Sequence, residues 1–272
     1  MKTLLVPTDL SPLANAALPV AVRLAHRWGA EVRVLHFLPF TVIEPELSPA
    51  PVAMTRYLNE QTEEATEALE RLCAQHQRDG VRITPVVSRH SAGLFGAIVD
   101  ERADLIVLAS HGAEGWAEWL VGSNAEEIVN TVDCPVLVLK EPLPEFSPQK
   151  ILFPIDPDER LYMQFVDLFP EAEKEFLFVA TPNDPRVSEG VGQWVDAWAN
   201  ARQLTDYRLT VLHHLSADEG ILQFAEQNAF DLIVVFTTQR KGFWHFLNGS
   251  VAEDVVNHAR TPVLVVPLRG EK

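Results

Sequence analysis

Lys2-Thr3-Leu4-Leu5-Val6-Pro7-Thr8-Asp9 returns later in the chain as Gln149-Lys150-Ile151-Leu152-Phe153-Pro154-Ile155-Asp156, at an offset of 147 residues. In both segments a short apolar run is followed by proline, one further residue and aspartate. An apolar run of this length predicts a buried strand. The recurrence of the whole segment indicates an internal duplication.

Three further matches extend the duplication. They are Asp104–Val107 with Asp231–Val234, Gly122-Ser123 with Gly249-Ser250, and Pro135–Val138 with Pro262–Val265, all at an offset of 127 residues. Because the offset falls from 147 to 127, the second copy has a middle part that is about 20 residues shorter. The repeat predicts one domain over residues 1–143 and a second over 144–272, with a proline-rich linker at Glu141–Pro148.

Apolar strand candidates alternate with amphipathic helix candidates in each copy. The strands are expected at Leu4–Pro7, Glu31–Phe37, Val81–Val87, Leu105–Ser110 and Val136–Lys140, then at Ile151–Pro154, Phe176–Ala180, Leu209–His213, Leu232–Phe236 and Val263–Val266. Helices are expected at Leu13–Arg27, Glu60–Gln77, Leu94–Arg102, Ala125–Thr131 and Val191–Leu204. Strands that are apolar on both faces and separated by helices predict the α/β class, with two tandem doubly wound, Rossmann-like parallel-sheet domains.

The composition limits the class of partner. The chain has 272 residues with 22 basic and 38 acidic side chains, a formal net charge of −16. This charge disfavours nucleic acid, whose phosphates it would repel. No apolar run reaches the ~18–20 residues of a membrane-spanning helix, so no membrane partner is expected. With only two cysteines, no disulfide framework is indicated and a cytoplasmic location is expected.

Candidate binding residues follow the first and fourth strands of the first copy. Ligands of open α/β sheets bind beyond the carboxyl ends of the strands, at helix starts. Pro7-Thr8-Asp9 ends the first strand, and Ala109-Ser110-His111-Gly112 ends the fourth, with Gly122-Ser123-Asn124 nine residues further on. Glycines let a backbone approach phosphate closely, and the free amides of a helix start favour an anion.

This spacing resembles the universal stress protein family. Its ATP-binding members have a glycine, two residues, a glycine, nine residues, and then Gly-Ser or Gly-Thr. Here Gly112 is separated by nine residues from Gly122-Ser123. The opening Val6–Asp9 and the closing Cys134–Val138 also resemble the family, and the likeness covers both copies.

The resemblance implies an adenine nucleotide alpha hydrolase-like fold and ATP as the ligand, with or without Mg²⁺. By this analogy Asp9 contacts the adenine and ribose, and Gly112 and Gly122 lie beside the phosphates. Ser123 and Asn124 bond phosphate oxygens. His111 is equally consistent with a phosphate neighbour and with an ordinary loop histidine.

The first copy departs from the family pattern at three positions. Ala109 replaces the first glycine, and Glu114 and Glu118 stand in a loop where the family has basic residues. These carboxylates oppose a triphosphate unless they face solvent or hold a divalent cation.

The second copy departs further, with Phe236 and Gln239 in place of the first two glycines. Only Asp156 and Gly249-Ser250-Val251 remain, which indicates a degenerate site. Ser250-x-x-Glu253 also forms a capping box, which is sufficient to explain this serine as helix-start chemistry.

Two functions remain open at this point. One is a universal stress response protein that binds ATP in its first domain as a regulatory ligand. The other is a nucleotide-independent scaffold with relic sites. No catalytic motif and no metal-binding spacing is present, so enzymatic activity, at most a slow ATPase, has only the family analogy behind it.

The last strand of each copy is also a candidate for an interaction within the chain. Val136–Lys140 and Val263–Val266 are expected to pair edge to edge, as an intrachain pseudo-dimer. A homodimer follows from the resemblance alone.

Overall fold

A computed structural model describes residues 1–39, 51–78, 80–109, 132, 134–143, 145–156, 163–182, 188–201, 203–238 and 251–268. The chain divides into two compact units. The first contains residues 1–109, and the second contains 146–272 together with Pro135–Lys140. The domain boundary between residues 143 and 144 was placed from the sequence repeat and stays a prediction.

The first unit is a parallel sheet with the strand order β3-β2-β1-β4. Its strands are β1 (Thr3–Thr8), β2 (Glu31–Phe37), β3 (Ile83–Ser88) and β4 (Leu105–Ala109), and its helices are α1 (Pro12–Asn15), α2 (Ala17–Trp28), α3 (Pro51–Gln75) and α4 (Gly93–Asp100). The central strands are apolar on both faces, and Leu4, Leu5 and Val6 have no exposed surface. The order of the strands reverses between β1 and β4, as in doubly wound folds.

The second unit repeats this order as β8-β7-β6-β9, and β10 and then β5 follow beyond β9. Its strands are β5 (Val136–Leu139), β6 (Lys150–Pro154), β7 (Glu173–Ala180), β8 (Arg208–His213), β9 (Leu232–Thr238) and β10 (Val263–Leu268), and its helices are α5 (Met163–Val166), α6 (Ser188–Ala201), α7 (Ala217–Gln227) and α8 (Val251–His258). The predicted α/β class with tandem parallel sheets is confirmed.

Strand β5 closes the first sequence copy, but it packs in the second unit. It runs antiparallel to β10, with Val138 opposite Val263 and Val136 opposite Val265. The predicted edge-to-edge pairing of these two strands is therefore confirmed. It gives the apolar edge of β10, which would otherwise be exposed, a hydrogen-bonded neighbour.

Two helices differ from their predicted bounds because of prolines. The helix expected over Leu13–Arg27 is divided at Ala16 into α1 and α2, since Pro19 has no N–H to donate to the carbonyl of Asn15. Helix α3 begins at Pro51 and not at Glu60, because proline is favoured in the first turn of a helix. Of the helices that the structure describes, none is long and apolar enough to cross a membrane.

Strand β7 begins three residues earlier than predicted. Its first three residues are charged, and for that reason the apolar pattern did not include them. Lys174 and Glu175 are nevertheless 6% and 7% exposed. The Lys174 ammonium donates to the carbonyls of Pro170 and Ala172. The hydroxyl of Thr210 donates to the Glu175 carboxylate at 2.7 Å. These bonds compensate for the burial of charge.

An aspartate joins the first and fourth strands of each sheet at their amino ends. The Asp104 carboxylate accepts the backbone N–H groups of Lys2 and Thr3 at 2.6 and 3.0 Å. Asp231 accepts those of Gln149 and Lys150 at 2.8 and 3.0 Å. The repeated Asp-Leu-Ile-Val segment therefore sets the register of the central strands in both units.

We predict that Asp104→Ala lowers the free energy of unfolding by about 1–2 kcal/mol, because two backbone donors lose a charged acceptor. Asp231→Ala has a similar effect in the second unit. Urea unfolding monitored at pH 7 measures both changes. Asp206→Ala, at an exposed aspartate just before β8, serves as the matched control and changes stability little.

The effect of Asp104 depends on pH. Burial alone would raise the pKa of this carboxyl, but the Lys2 and Thr3 N–H groups and the nearby positive charges outweigh it, so the pKa is lowered. A carboxyl with a lowered folded-state pKa contributes stability above its unfolded pKa and loses it as pH falls through the folded pKa. The stability difference between wild type and Asp104→Ala therefore shrinks below pH ~4. A difference that is the same at neutral and acid pH contradicts this assignment.

Candidate functional site

A gap in the ladder lies where β1 and β4 end. Their ladder pairs Leu4 with Leu105 and Leu5 with Ile106, and stops there. The carbonyl of Thr3 accepts a hydrogen bond from Asp104 N–H. The backbone N and C=O groups of every second residue after Thr3, up to Pro7, therefore also point towards β4. Pro7 has no N–H to donate across this gap, and the ladder ends one step before it.

The second unit has the same gap. Strand β6 pairs with β9 at Ile151–Leu232 and Leu152–Ile233 only, and the Lys150 carbonyl accepts a hydrogen bond from Asp231 N–H. Pro154 therefore faces β9 and lacks a donor, as Pro7 does in the first unit. The Val-Pro-Thr-Asp and Phe-Pro-Ile-Asp segments thus place a proline at the switch point of each sheet.

Four of the residues predicted for the first site lie in the part of the chain that the structure describes. Pro7 and Thr8 end β1 in buried positions, Asp9 follows with an exposed side chain, and Ala109 is the half-buried last residue of β4. Counted from the pair Leu4–Leu105, Thr8 and Ala109 stand at the same level of neighbouring strands. The others lie outside the described residues: His111, Gly112, Gly122, Ser123 and Asn124.

A hydrogen-bond network shapes the loop after β1. The Thr8 hydroxyl donates to Asn15 Oδ1 at 2.7 Å and accepts the N–H of Leu10 at 2.8 Å. Asn15 Nδ2 donates to the carbonyl of Leu10 at 3.1 Å. Leu10 has a φ of 69°, in the left-handed region, which costs a non-glycine residue about 1–2 kcal/mol. The network holds Leu10 at both of its backbone polar groups.

Asp9 and Ser11 complete the loop. Asp9 Oδ1 accepts the N–H of Ser11 at 2.8 Å. Ser11 then caps α1 by accepting the N–H of Ala14 at 3.2 Å, with Pro12 as the first helical residue. Serine before proline is a usual helix start. The exposed Asp9 carboxylate therefore stands on a loop with defined backbone geometry, at the carboxyl edge of the sheet.

His36 lies beside Thr8, its register partner in β2. The distance from His36 Nδ1 to the Thr8 carbonyl oxygen is 2.8 Å. Because a carbonyl oxygen only accepts, Nδ1 carries the proton of this bond. The bond satisfies the last carbonyl of β1 and holds the end of this strand to β2.

The corresponding positions of the second unit are apolar. The pairs Pro7–Leu35 and Pro154–Leu177 match in register, so Ile155 takes the place of Thr8 and Phe178 that of His36. Ile155 and Phe178 are 6% and 2% exposed. Neither side chain can donate or accept a hydrogen bond, so the polar network of the first unit has no equivalent at these positions.

The other residues predicted for the second site are only partly described. Asp156 follows β6 with a half-buried side chain, and Val251, 43% exposed, begins α8. Gly249 and Ser250 lie outside the described residues. Within the described part of the chain, no group of three or more His, Cys, Asp or Glu side chains is arranged to hold a metal ion.

Asn15 and His36 were not identified from the sequence. His36 is the penultimate residue of β2, and the sequence pattern does not distinguish a histidine that bonds a neighbouring carbonyl from one that faces solvent. Asn15 lies within a segment predicted as one continuous helix. The Asp9-x-Ser11-Pro12 spacing, an Asx turn before a capped helix, is a signal that locates the helix start and the tight loop.

We predict that Thr8→Val lowers the free energy of unfolding by about 2 kcal/mol. The substitution keeps the volume but removes an acceptor for Leu10 N–H and a donor to Asn15, at a position that is 2% exposed. Thermal and urea unfolding measure the change. The matched control is Thr66→Val, because the Thr66 hydroxyl bonds only the Thr62 carbonyl of its own helix. Equal losses in the two variants contradict the role given to Thr8.

Comparisons with known proteins identify the family. The pattern of the universal stress protein family matches residues 1–140 and 197–267. A universal stress protein of Synechocystis is 25% identical, over 97% of this chain and 99% of that protein. One from Mycobacterium tuberculosis is 24% identical, over 96% of this chain and 95% of its own length.

A solved structure supports the fold. The crystal structure of a universal stress protein from Archaeoglobus fulgidus matches with a TM-score of 0.72 at 18% identity, covering 97% of this chain and 98% of that one. Both repeats are included in these full-length matches. The chain therefore belongs to the universal stress protein family, as a tandem of two repeats.

Proposed function

We propose that the first repeat binds ATP or a related adenine nucleotide as a regulatory ligand. The observation that carries the proposal is that the ladder stops before the carboxyl ends of β1 and β4, next to the exposed Asp9 and its hydrogen-bonded loop. Such a switch point is where open α/β sheets bind their ligands. Asp9 offers an acceptor for ribose hydroxyls and for the adenine amino group.

The proposal also gives a role to each of the other predicted residues. Pro7 leaves the ends of β1 and β4 without a hydrogen bond between them, and Thr8 holds the loop that carries Asp9. The small side chain of Ala109 leaves room at the end of β4. The phosphates are assigned to the segment after β4, through His111, Gly112, Gly122, Ser123 and Asn124.

Electrostatics supports this orientation of the nucleotide. A carboxylate repels a triphosphate at short range, so Asp9 belongs at the adenosine end and not at the phosphate end. Backbone N–H groups at a helix start can hold an anion even in a chain with a net charge of −16. Mg²⁺ bound with the nucleotide would reduce the remaining repulsion by neutralising part of the phosphate charge.

The second repeat is proposed to have an architectural role. Its apolar Ile155 and Phe178 offer no polar group at the loop after β6, and Phe236 stands where the pattern has its first glycine. The pairing of β5 with β10 supports an intrachain pseudo-dimer. A homodimer and a cytoplasmic location complete the proposal and await measurement.

We predict that the purified chain binds Mg·ATP and that Asp9→Ala weakens this binding about tenfold or more, because a charged acceptor is lost. Gly122→Val abolishes the binding by blocking close approach to phosphate. Isothermal titration calorimetry measures both effects. Asp156→Ala, the same change in the second repeat, is the matched control and leaves the affinity unchanged.

Absence of both binding heat and co-purified nucleotide would refute the proposal in favour of a nucleotide-independent scaffold. Unchanged affinity in Asp9→Ala would refute the role of this carboxylate alone. Turnover of ATP on addition of Mg²⁺ would show an enzyme and not a purely regulatory site.

A further inference from the structure

The shape of the Asp9 loop depends on residues that need not touch a ligand. Asp9 stands between Thr8 and Leu10, and both neighbours are fixed by hydrogen bonds. Thr8 is held at its carbonyl by His36 Nδ1 and at its hydroxyl by Asn15. Leu10 is held at its N–H by Thr8 and at its carbonyl by Asn15. The direction of the Asp9 side chain follows from these constraints.

The left-handed conformation of Leu10 makes this support necessary. An L-residue other than glycine or asparagine rarely adopts a φ of 69° unless its surroundings impose it. Backbone strain of this kind persists where neighbouring bonds over-determine the conformation. The carboxamide of Asn15 supplies such bonds, because its oxygen accepts the Thr8 hydroxyl while its nitrogen donates to the Leu10 carbonyl.

The second repeat has other residue types at the positions that supply this support. At the offset of 147 residues, Pro157 takes the place of Leu10 and Tyr162 that of Asn15. The ring of a proline fixes φ near −65°, whereas Leu10 has a φ of 69°. Ile155 and Phe178 remove the hydroxyl and the imidazole. Asp156 is thus retained without the side chains that hold the Asp9 loop.

We propose that Asn15 and His36 are positioning residues for the nucleotide site, and that their loss, with Pro157, removes nucleotide binding from the second repeat despite its retained aspartate. The inference rests on the proposed function. A loop already held in its bound shape does not lose conformational freedom on binding, which strengthens the affinity. The residues that decide which repeat binds therefore include two that lie outside the motif shared with the family.

The test uses the full chain and four variants. His36→Phe introduces the residue of the second repeat, while His36→Asn keeps an N–H donor close to the position of Nδ1. Asn15→Ala removes both bonds of the carboxamide. His76→Phe is the matched control, since it removes another half-buried imidazole of the same unit, beyond the end of α3.

Calorimetry with Mg·ATP gives the first readout. His36→Phe and Asn15→Ala are expected to weaken binding about five- to tenfold. His36→Asn retains most of the affinity, and His76→Phe retains all of it. A melting temperature measured for each variant separates loss of fold from loss of loop shape. Wild-type affinity in both His36→Phe and Asn15→Ala overturns the inference and leaves the proposed function standing.

Nuclear magnetic resonance gives a second readout that needs no nucleotide. The ¹⁵N shifts of neutral His36 should show the proton on Nδ1, and the amides of Leu10 and Ser11 should exchange at least tenfold faster in Asn15→Ala than in wild type. A proton on Nε2, or unchanged exchange, contradicts the network. If wild type binds no ATP, the proposed function and the positioning role both fail, and these shifts and rates still decide whether the network holds the loop.

Discussion

The backbone nitrogen of Pro7 faces β4 and has no proton to donate, and the site depends on this missing hydrogen bond. Asp104 draws β1 and β4 together at their amino ends, while Pro7 ends their ladder before the carboxyl ends. The same pair of constraints recurs with Asp231 and Pro154. In each unit the two central strands are therefore paired near their amino ends and unpaired at their carboxyl ends, which is where doubly wound folds bind ligands.

The two repeats share this backbone but differ in the side chains that surround the opening. In the first, the hydroxyl of Thr8 and the imidazole of His36 organise a polar loop that presents a carboxylate. In the second, Ile155 and Phe178 fill the same positions with apolar groups. Burial of these groups favours folding but offers a nucleotide no hydrogen bonds. The two repeats thus share the sheet and differ in the side chains at the ends of these strands.

Much of the fold was predictable from the sequence because most strands are continuous apolar runs, and the pairing of β5 with β10 followed from the need to cover apolar edges. The start of β7 was not, because Lys174 and Glu175 are charged, and only tertiary hydrogen bonds make their burial acceptable. The division between α1 and α2 was missed although Pro19 signals it.

The candidate site was predictable in part, for a similar reason. Asp9 follows β1 and Ala109 ends β4, so their position at the same end of the sheet follows from the parallel strands. Asn15 and His36 act through bonds to groups on Thr8 and Leu10, across a turn or from a neighbouring strand, and no local pattern reveals such bonds. The structure therefore adds Asn15 and His36, which hold the shape of the Asp9 loop, to the residues found from the sequence.

We propose that only one of the two homologous loops holds a nucleotide. The most direct test is the stoichiometry of Mg·ATP binding to the full-length chain, measured by calorimetry with the protein concentration determined independently. The account predicts one nucleotide per chain. Two equivalent sites per chain, or none, would contradict it.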